Sequence, residues 1–127
     1  MTQPLLSGKI ALVTAAGSGI GRASAQILAA NGAYVVVTDR NLEGARETVD
    51  LILQSGFRAE AQQLDVADEP AIGALFEAVA AKHGGLNILH NHAGVQIAGA
   101  LEEIDATDMR KSYEINVVAH FAASRAV

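Results

Sequence analysis

Residues Thr14-Ala15-Ala16-Gly17-Ser18-Gly19-Ile20-Gly21 stand between the apolar run Ile10–Val13 and a helical pattern that begins at Ile20. A turn of this composition is suited to holding a phosphate. A strand ends, a helix begins, and the unpaired N–H groups of the first helical turn lie at the positive end of the helix dipole. Glycine lets the backbone approach an anion closely and permits φ > 0. The spacing departs from G-x-G-x-x-G, because Gly17 and Gly19 fit and the third glycine would fall on Arg22. A second residue with chemical potential is Asp39, at the end of the next apolar run. A carboxylate about 20 residues beyond such a turn accepts hydrogen bonds from adenosine ribose hydroxyls and repels a 2′-phosphate, which favours NAD over NADP. Arg40 weighs the other way, since a basic side chain can accept that phosphate.

Each residue also has a plain structural reading. The glycines suit any strand-to-helix turn, and Asp39 suits the flank of a helix. His90 and His92, two apart on an expected strand, share a face and invite a metal. No third ligand is placed by the sequence, so hydrogen-bonded buried histidines are expected and no metal site. His83 and His120 read the same way.

The elements that must position these residues follow from periodicity. Ile20, Ala23, Ile27 and Leu28 recur at helical spacing up to Asn31-Gly32, and Ala33–Thr38 reads as a second buried strand. Two continuous apolar strands joined by a helix are expected of a parallel sheet covered on both faces, with a right-handed crossover. Asn41 caps a helix with an apolar stripe of Leu42, Ala45, Val49, Ile52 and Leu53, while Glu43, Arg46, Glu47 and Asp50 face water. Phe57–Leu64 is a polar third strand suited to a sheet edge. Asp68 caps a helix that carries Pro70 in its first turn and presents Ile72, Leu75, Phe76, Val79 and Ala80. Leu86–His90 is a fourth strand. The last helix starts at Asp105 or Thr107 and has two apolar sets, Met109-Tyr113 and Ile115-Val118-Ala119-Ala122, so it wants two neighbours. Within it, Asn116 taken alone marks a kink or a satisfied core polar group.

Bulk composition bounds the rest. The 127 residues are half hydrophobic, carry a net charge of −5 and contain no cysteine. One domain over 1–127 is expected, without disulfides, thiolate metal sites or a cysteine nucleophile. An acidic balance argues against nucleic acid and anionic membrane as partners. No stretch approaches the ~18 apolar residues of a membrane span, and a cytoplasmic location is the expectation.

A resemblance ties these pieces together. Thr14, Gly19 and Gly21 fit T-G-x-x-x-G-x-G with Ala15 in the first glycine's place; Asp65-Val66 follows the third strand; Asn91-His92-Ala93-Gly94 is close to N-N-A-G, with His92 for the second asparagine; Asn116 sits in Ile115-Asn116-Val117. From Thr14 to Asn116 the chain resembles the N-terminal half of the short-chain dehydrogenase/reductase family. The resemblance implies a Rossmann-type, doubly wound α/β fold in three layers with strand order 3-2-1-4. It implies that Ala15, Gly17, Ser18, Gly19, Ile20 and Gly21 cradle a dinucleotide, with Ala15 at negative φ and any left-handed position on Gly17. Asp65 would accept from the adenine amine and Val66 donate its N–H. The backbone of the Asn91–Gly94 loop, with small residues at Ala93 and Gly94, would pass under the cofactor ribose, Asn91 would tie the strand end to its neighbours, and Asn116 would hold a water of the proton relay. Ser18, where NADP-using members often carry a basic residue, leans towards NAD. The family transfers hydride between a nicotinamide and an alcohol or ketone with a Ser and a Tyr-x-x-x-Lys pair. Neither Tyr34 nor Tyr113 has a lysine four residues on, and the sequence stops within a helix at Val127. The expectation is therefore the N-terminal portion of a longer oxidoreductase, inactive by itself and assembled as a homo-oligomer. The alternative is a non-catalytic dinucleotide-binding or interaction module.

Overall fold

In the computed structural model, which describes residues 3–127, the apolar runs form β1 (Ile10–Val13) and β2 (Tyr34–Asp39), paired in parallel with Val13 beside Val37. β3 (Ala59–Gln63) lies outside β2, and β4 (Ile88–His90) lies on the other side of β1, all parallel, in the order β3-β2-β1-β4. Period-two alternation divides the strands between two cores. Ala11, Val13, Val35 and Val37 face one side, with Ala25, Ala29, Ala45, Val49 and Ile52. Leu12 and Val36 face the other, with Ile72, Phe76, Val79, Ala122 and Ala123. The result is the three-layer, doubly wound α/β arrangement with β1 at its centre.

The helices are α1 (Gly19–Ala30), α2 (Leu42–Gln54), α3 (Glu69–His83), α4 (Ala106–Tyr113) and α5 (Ala119–Ala126). Their caps follow the sequence: Asn41 accepts from the Glu43 and Gly44 N–H groups, and Asp68 accepts from Ala71. Asp105, not Thr107, starts α4, in a reciprocal capping box with Asp108. A π-helical turn, Glu114–Val118, joins α4 to α5, with the Ala119 N–H donating to the Glu114 carbonyl.

The expected faces of α1 and α2 and the limits of β3 and β4 need correction. In α1 the buried residues are Gly21, Ala25 and Ala29, whereas Ile20 and Ile27 are 71% and 63% exposed. Small residues won because the helix lies against the turn: a Cβ on Gly21 would stand 2.2 Å from the Ala15 carbonyl oxygen. In α2, Leu53 is exposed and Thr48 takes a fully buried position. β3 is shorter than 57–64 because Phe57 and Arg58 precede the pairing; Arg58 still accepts from the Val35 N–H through its carbonyl. β4 likewise reduces to three residues.

Candidate active site

The strand ends converge on Thr14. Its side chain is fully buried, and its hydroxyl oxygen accepts from the N–H groups of both His92 and Ala93 at 2.9 Å. Its own N–H donates to the His90 carbonyl. This threonine pins the loop after β4 beside the glycine turn, a role the sequence signalled only through its place at the head of that turn.

The turn itself differs from expectation in its dihedral angles. Ala15 has φ +52°, and the positive glycine is Gly19 at +55°, not Gly17. Ala15 thus takes the left-handed conformation for which the family's glycine is suited. Gly17 is needed for space instead. Its N–H donates to Asp39 Oδ2 at 2.9 Å, and a Cβ there would lie 2.8 Å from that oxygen. Asp39 Oδ1 accepts from the Asn41 N–H at 2.8 Å, so both carboxylate oxygens are held by backbone.

A cavity of about 250 Å³ opens at these strand ends. Ala15, Asp39, Arg40, Asp65, Val66, Ala93 and Gly94 line it, joined by Leu64, Val95, Lys111 and Ile115. Two carboxylates and two cations thus face one space, Lys111 having no signal in the sequence pattern. Gly17, Ser18, Gly19, Ile20 and Gly21 lie outside this lining, on the turn that continues from Ala15 into α1. Asn91 is also outside it; its side-chain amide donates to the His120 carbonyl at 2.9 Å and to Ser124 Oγ at 3.3 Å, tying the end of β4 to α5.

Asn116 lies in the π turn and grips the loop after β4. Its Oδ1 accepts from the Val95 N–H and its Nδ2 donates to the Val95 carbonyl, each at 2.8 Å, with a further bond to Ser112 Oγ. The reading as a satisfied polar group and the reading as a helix irregularity both hold for the one residue.

The histidines divide by location. His92 lies beyond the end of β4, and its ring centroid is 5.3 Å from that of His90. Burial, then repulsion from His92, lowers the His90 pKa and favours its neutral form. His120 Nε2 contacts the Ala93 carbonyl oxygen, and His83 Nε2 lies 2.6 Å from Glu60 Oε1. Among the described residues no three His, Cys, Asp or Glu side chains gather as metal ligands.

The short chain dehydrogenase family matches residues 9–127. The 7alpha-hydroxysteroid dehydrogenase of Escherichia coli (strain K12) is 40% identical over 124 residues, which cover 96% of this chain and 48% of that protein. A crystal structure of hydroxysteroid dehydrogenase from Escherichia coli superposes with a TM-score of 0.91 at 38% identity, over 96% of this chain and 52% of that one. A metagenomic short-chain oxidoreductase solved in complex with NADP gives 0.90 at 36% identity, over 95% and 55%. The chain therefore spans about half the length of the relatives it matches.

Proposed function

Because this chain belongs to the short-chain dehydrogenase family, we propose that it is the dinucleotide-binding N-terminal portion of an NAD-dependent oxidoreductase acting on a small-molecule alcohol or ketone. The observation that carries the proposal is the Asp39 carboxylate, fixed by the Gly17 and Asn41 N–H groups at the wall of the cavity. A carboxylate aimed in this way accepts from ribose hydroxyls and opposes a 2′-phosphate. Arg40 and Lys111 line the same cavity and temper that preference.

In this reading Ala15, Gly17, Ser18, Gly19, Ile20 and Gly21 present backbone and the α1 dipole to the pyrophosphate. Asp65 and Val66 take the adenine, while Ala93 and Gly94 keep a small-residue floor under the nicotinamide ribose and Asn91 anchors the end of β4 beside it. Asn116 holds that floor through Val95 and serves the proton relay. The nicotinamide, when bound, supplies the hydride chemistry. The proton donor belongs to a Tyr-x-x-x-Lys pair that these 127 residues lack, so they bind without turning over substrate. A cytoplasmic, homo-oligomeric protein completes the proposal, with the exposed stripe Met109, Tyr113, Val117 and Phe121 as the face between copies.

Fluorescence titration of NADH and NADPH into the protein tests it. Tighter NADH binding is expected, and tighter NADPH would shift the decisive role to Arg40 and Lys111. The alternative of a non-catalytic dinucleotide-binding module predicts binding without alcohol oxidation in the intact protein, which a coupled absorbance assay separates.

A further inference from the structure

Arg22 occupies the third glycine position of the common dinucleotide pattern, where glycine allows a helix to pack closely on its strand. Here Gly21 provides that close approach, one residue earlier. Arg22 is thereby released to point sideways across α1 to α2, and its guanidinium makes a specific set of contacts. Nη2 donates to the Gly17 carbonyl at 2.6 Å, and Nε donates to Thr48 Oγ1 at 2.9 Å. The Thr48 hydroxyl in turn donates to the Ala16 carbonyl at 2.7 Å. Thr48 is fully buried, so water does not compete for this bond.

These contacts close a ring around one residue. The peptide between Ala16 and Gly17 has its carbonyl held by Thr48 and its N–H held by Asp39 Oδ2; the next peptide has its carbonyl held by Arg22. Peptide units are rigid planes, so fixing the carbonyls fixes the direction of the Gly17 N–H. That N–H aims one oxygen of the Asp39 carboxylate, while the Asn41 N–H holds the other. The contact of Arg22 with Glu47, at 3.2 Å, adds little, because the Glu47 side chain is 66% exposed.

We infer that Arg22, acting through Thr48 and the Gly17 peptide, is the positioning residue that presets Asp39 for the adenosine ribose. This rests on the dinucleotide-binding reading above and adds a determinant that reaches the cavity only through other groups.

The test is ADP-ribose binding by calorimetry, made on the intact protein with each variant's fold checked by circular dichroism. Arg22→Met keeps the stem and deletes the donors, and should raise the dissociation constant about tenfold. Arg22→Lys offers one ammonium for the two acceptors and should give a loss of about threefold. On an Asp39→Asn background the Arg22→Met loss should shrink to about twofold or less, since the carboxylate being aimed is gone. Wild-type affinity in folded Arg22→Met overturns the inference, as does an undiminished tenfold loss in the double variant, which marks general loosening of the turn. Should Arg22→Met not fold, Arg22→Lys decides: a threefold loss supports the positioning role and an unchanged constant removes it. Failure of the wild type to bind ADP-ribose would remove the dinucleotide reading itself, an outcome distinct from a wild type that binds and a variant that matches it.

Discussion

The Gly17 N–H and the Asp39 carboxylate meet at 2.9 Å between the glycine turn and the end of β2, and a Cβ on Gly17 would stand 2.8 Å from the accepting oxygen. Glycine is thus required at this position by the carboxylate it orients. Gly17→Ala should push that carboxylate aside and also press on α2, because the new Cβ would lie 3.1 Å from the backbone nitrogen of buried Ala45. We expect ADP-ribose affinity to fall about tenfold, with stability lowered by roughly 1–3 kcal/mol. Calorimetry beside urea unfolding checks both; unchanged affinity would show that Asp39 needs no fixed orientation.

Asp39→Ala removes the charge that opposes a 2′-phosphate and leaves Arg40 and Lys111 at the same cavity. The ratio of NADP to NAD affinity should rise about tenfold, whereas Arg40→Ala should move it the other way. Competition against NADH fluorescence measures the ratio. A ratio unmoved by Asp39→Ala would locate discrimination elsewhere.

These residues show what the sequence could reveal. Helix caps were legible because capping chemistry is a local signal, whereas strand order and the meeting of Asp39, Asp65 and Ala93 at one edge were legible only through the family resemblance, since both depend on distant parts of the chain. The buried face of α1 was not legible. Hydropathy pointed to Ile20 and Ile27, whereas Gly21 is selected by its close approach to the turn, and Ala25 and Ala29 fill the core against β1 and β2. The roles of Arg22 and Thr48 were equally hidden: Thr48 falls on the buried row between Ala45 and Ile52, but neither that place nor an arginine on a helix signals a hydrogen bond to another element. Lys111 comes to the cavity only through the long-range packing of the last helix.

The left-handed Ala15 carries strain that its sequence neighbours do not betray. At φ +52° its Cβ crowds the following carbonyl, a penalty glycine avoids. Ala15→Gly should therefore stabilise the fold by about 1 kcal/mol, less what glycine loses in chain entropy. The midpoint of urea unfolding should rise. A fall would mean that the methyl group's contacts outweigh the strain.

Glu60 gives a pH dependence with a defined sign. Burial pushes its carboxyl upward, but hydrogen bonds from Gln62, His83 and Lys82 outweigh that and hold its pKa below the usual glutamate value. A carboxylate depressed in the folded state stabilises above its unfolded pKa, and that stability disappears as pH falls through the folded value. Glu60→Gln should thus cost on the order of 1 kcal/mol at neutral pH. The difference from wild type should vanish below the ordinary glutamate range. Thermal melts across that range test it; a gap independent of pH would assign the effect to packing alone.

The last prediction concerns the exposed stripe on the final helix. Met109, Tyr113, Val117 and Phe121 recur every fourth residue and are between 50% and 67% exposed. A four-residue step overshoots a helical turn of 3.6 residues, so such a stripe would drift around a regular helix. The wider π turn at Glu114–Val118 offsets part of that drift. On the opposite side Ala119, Ala122 and Ala123 are buried, with α3 packed against α5, so the stripe is left without cover inside this chain. Burying each such side chain contributes roughly 1.5–3 kcal/mol, and an isologous face doubles the set. Association through this stripe is therefore expected in the intact protein at about 50 µM, with Phe121→Glu raising the dissociation constant about a hundredfold or more. Sedimentation equilibrium of both proteins is the measurement. A wild type that remains monomeric, or a Phe121→Glu variant that associates as tightly, would take this face out of the assembly.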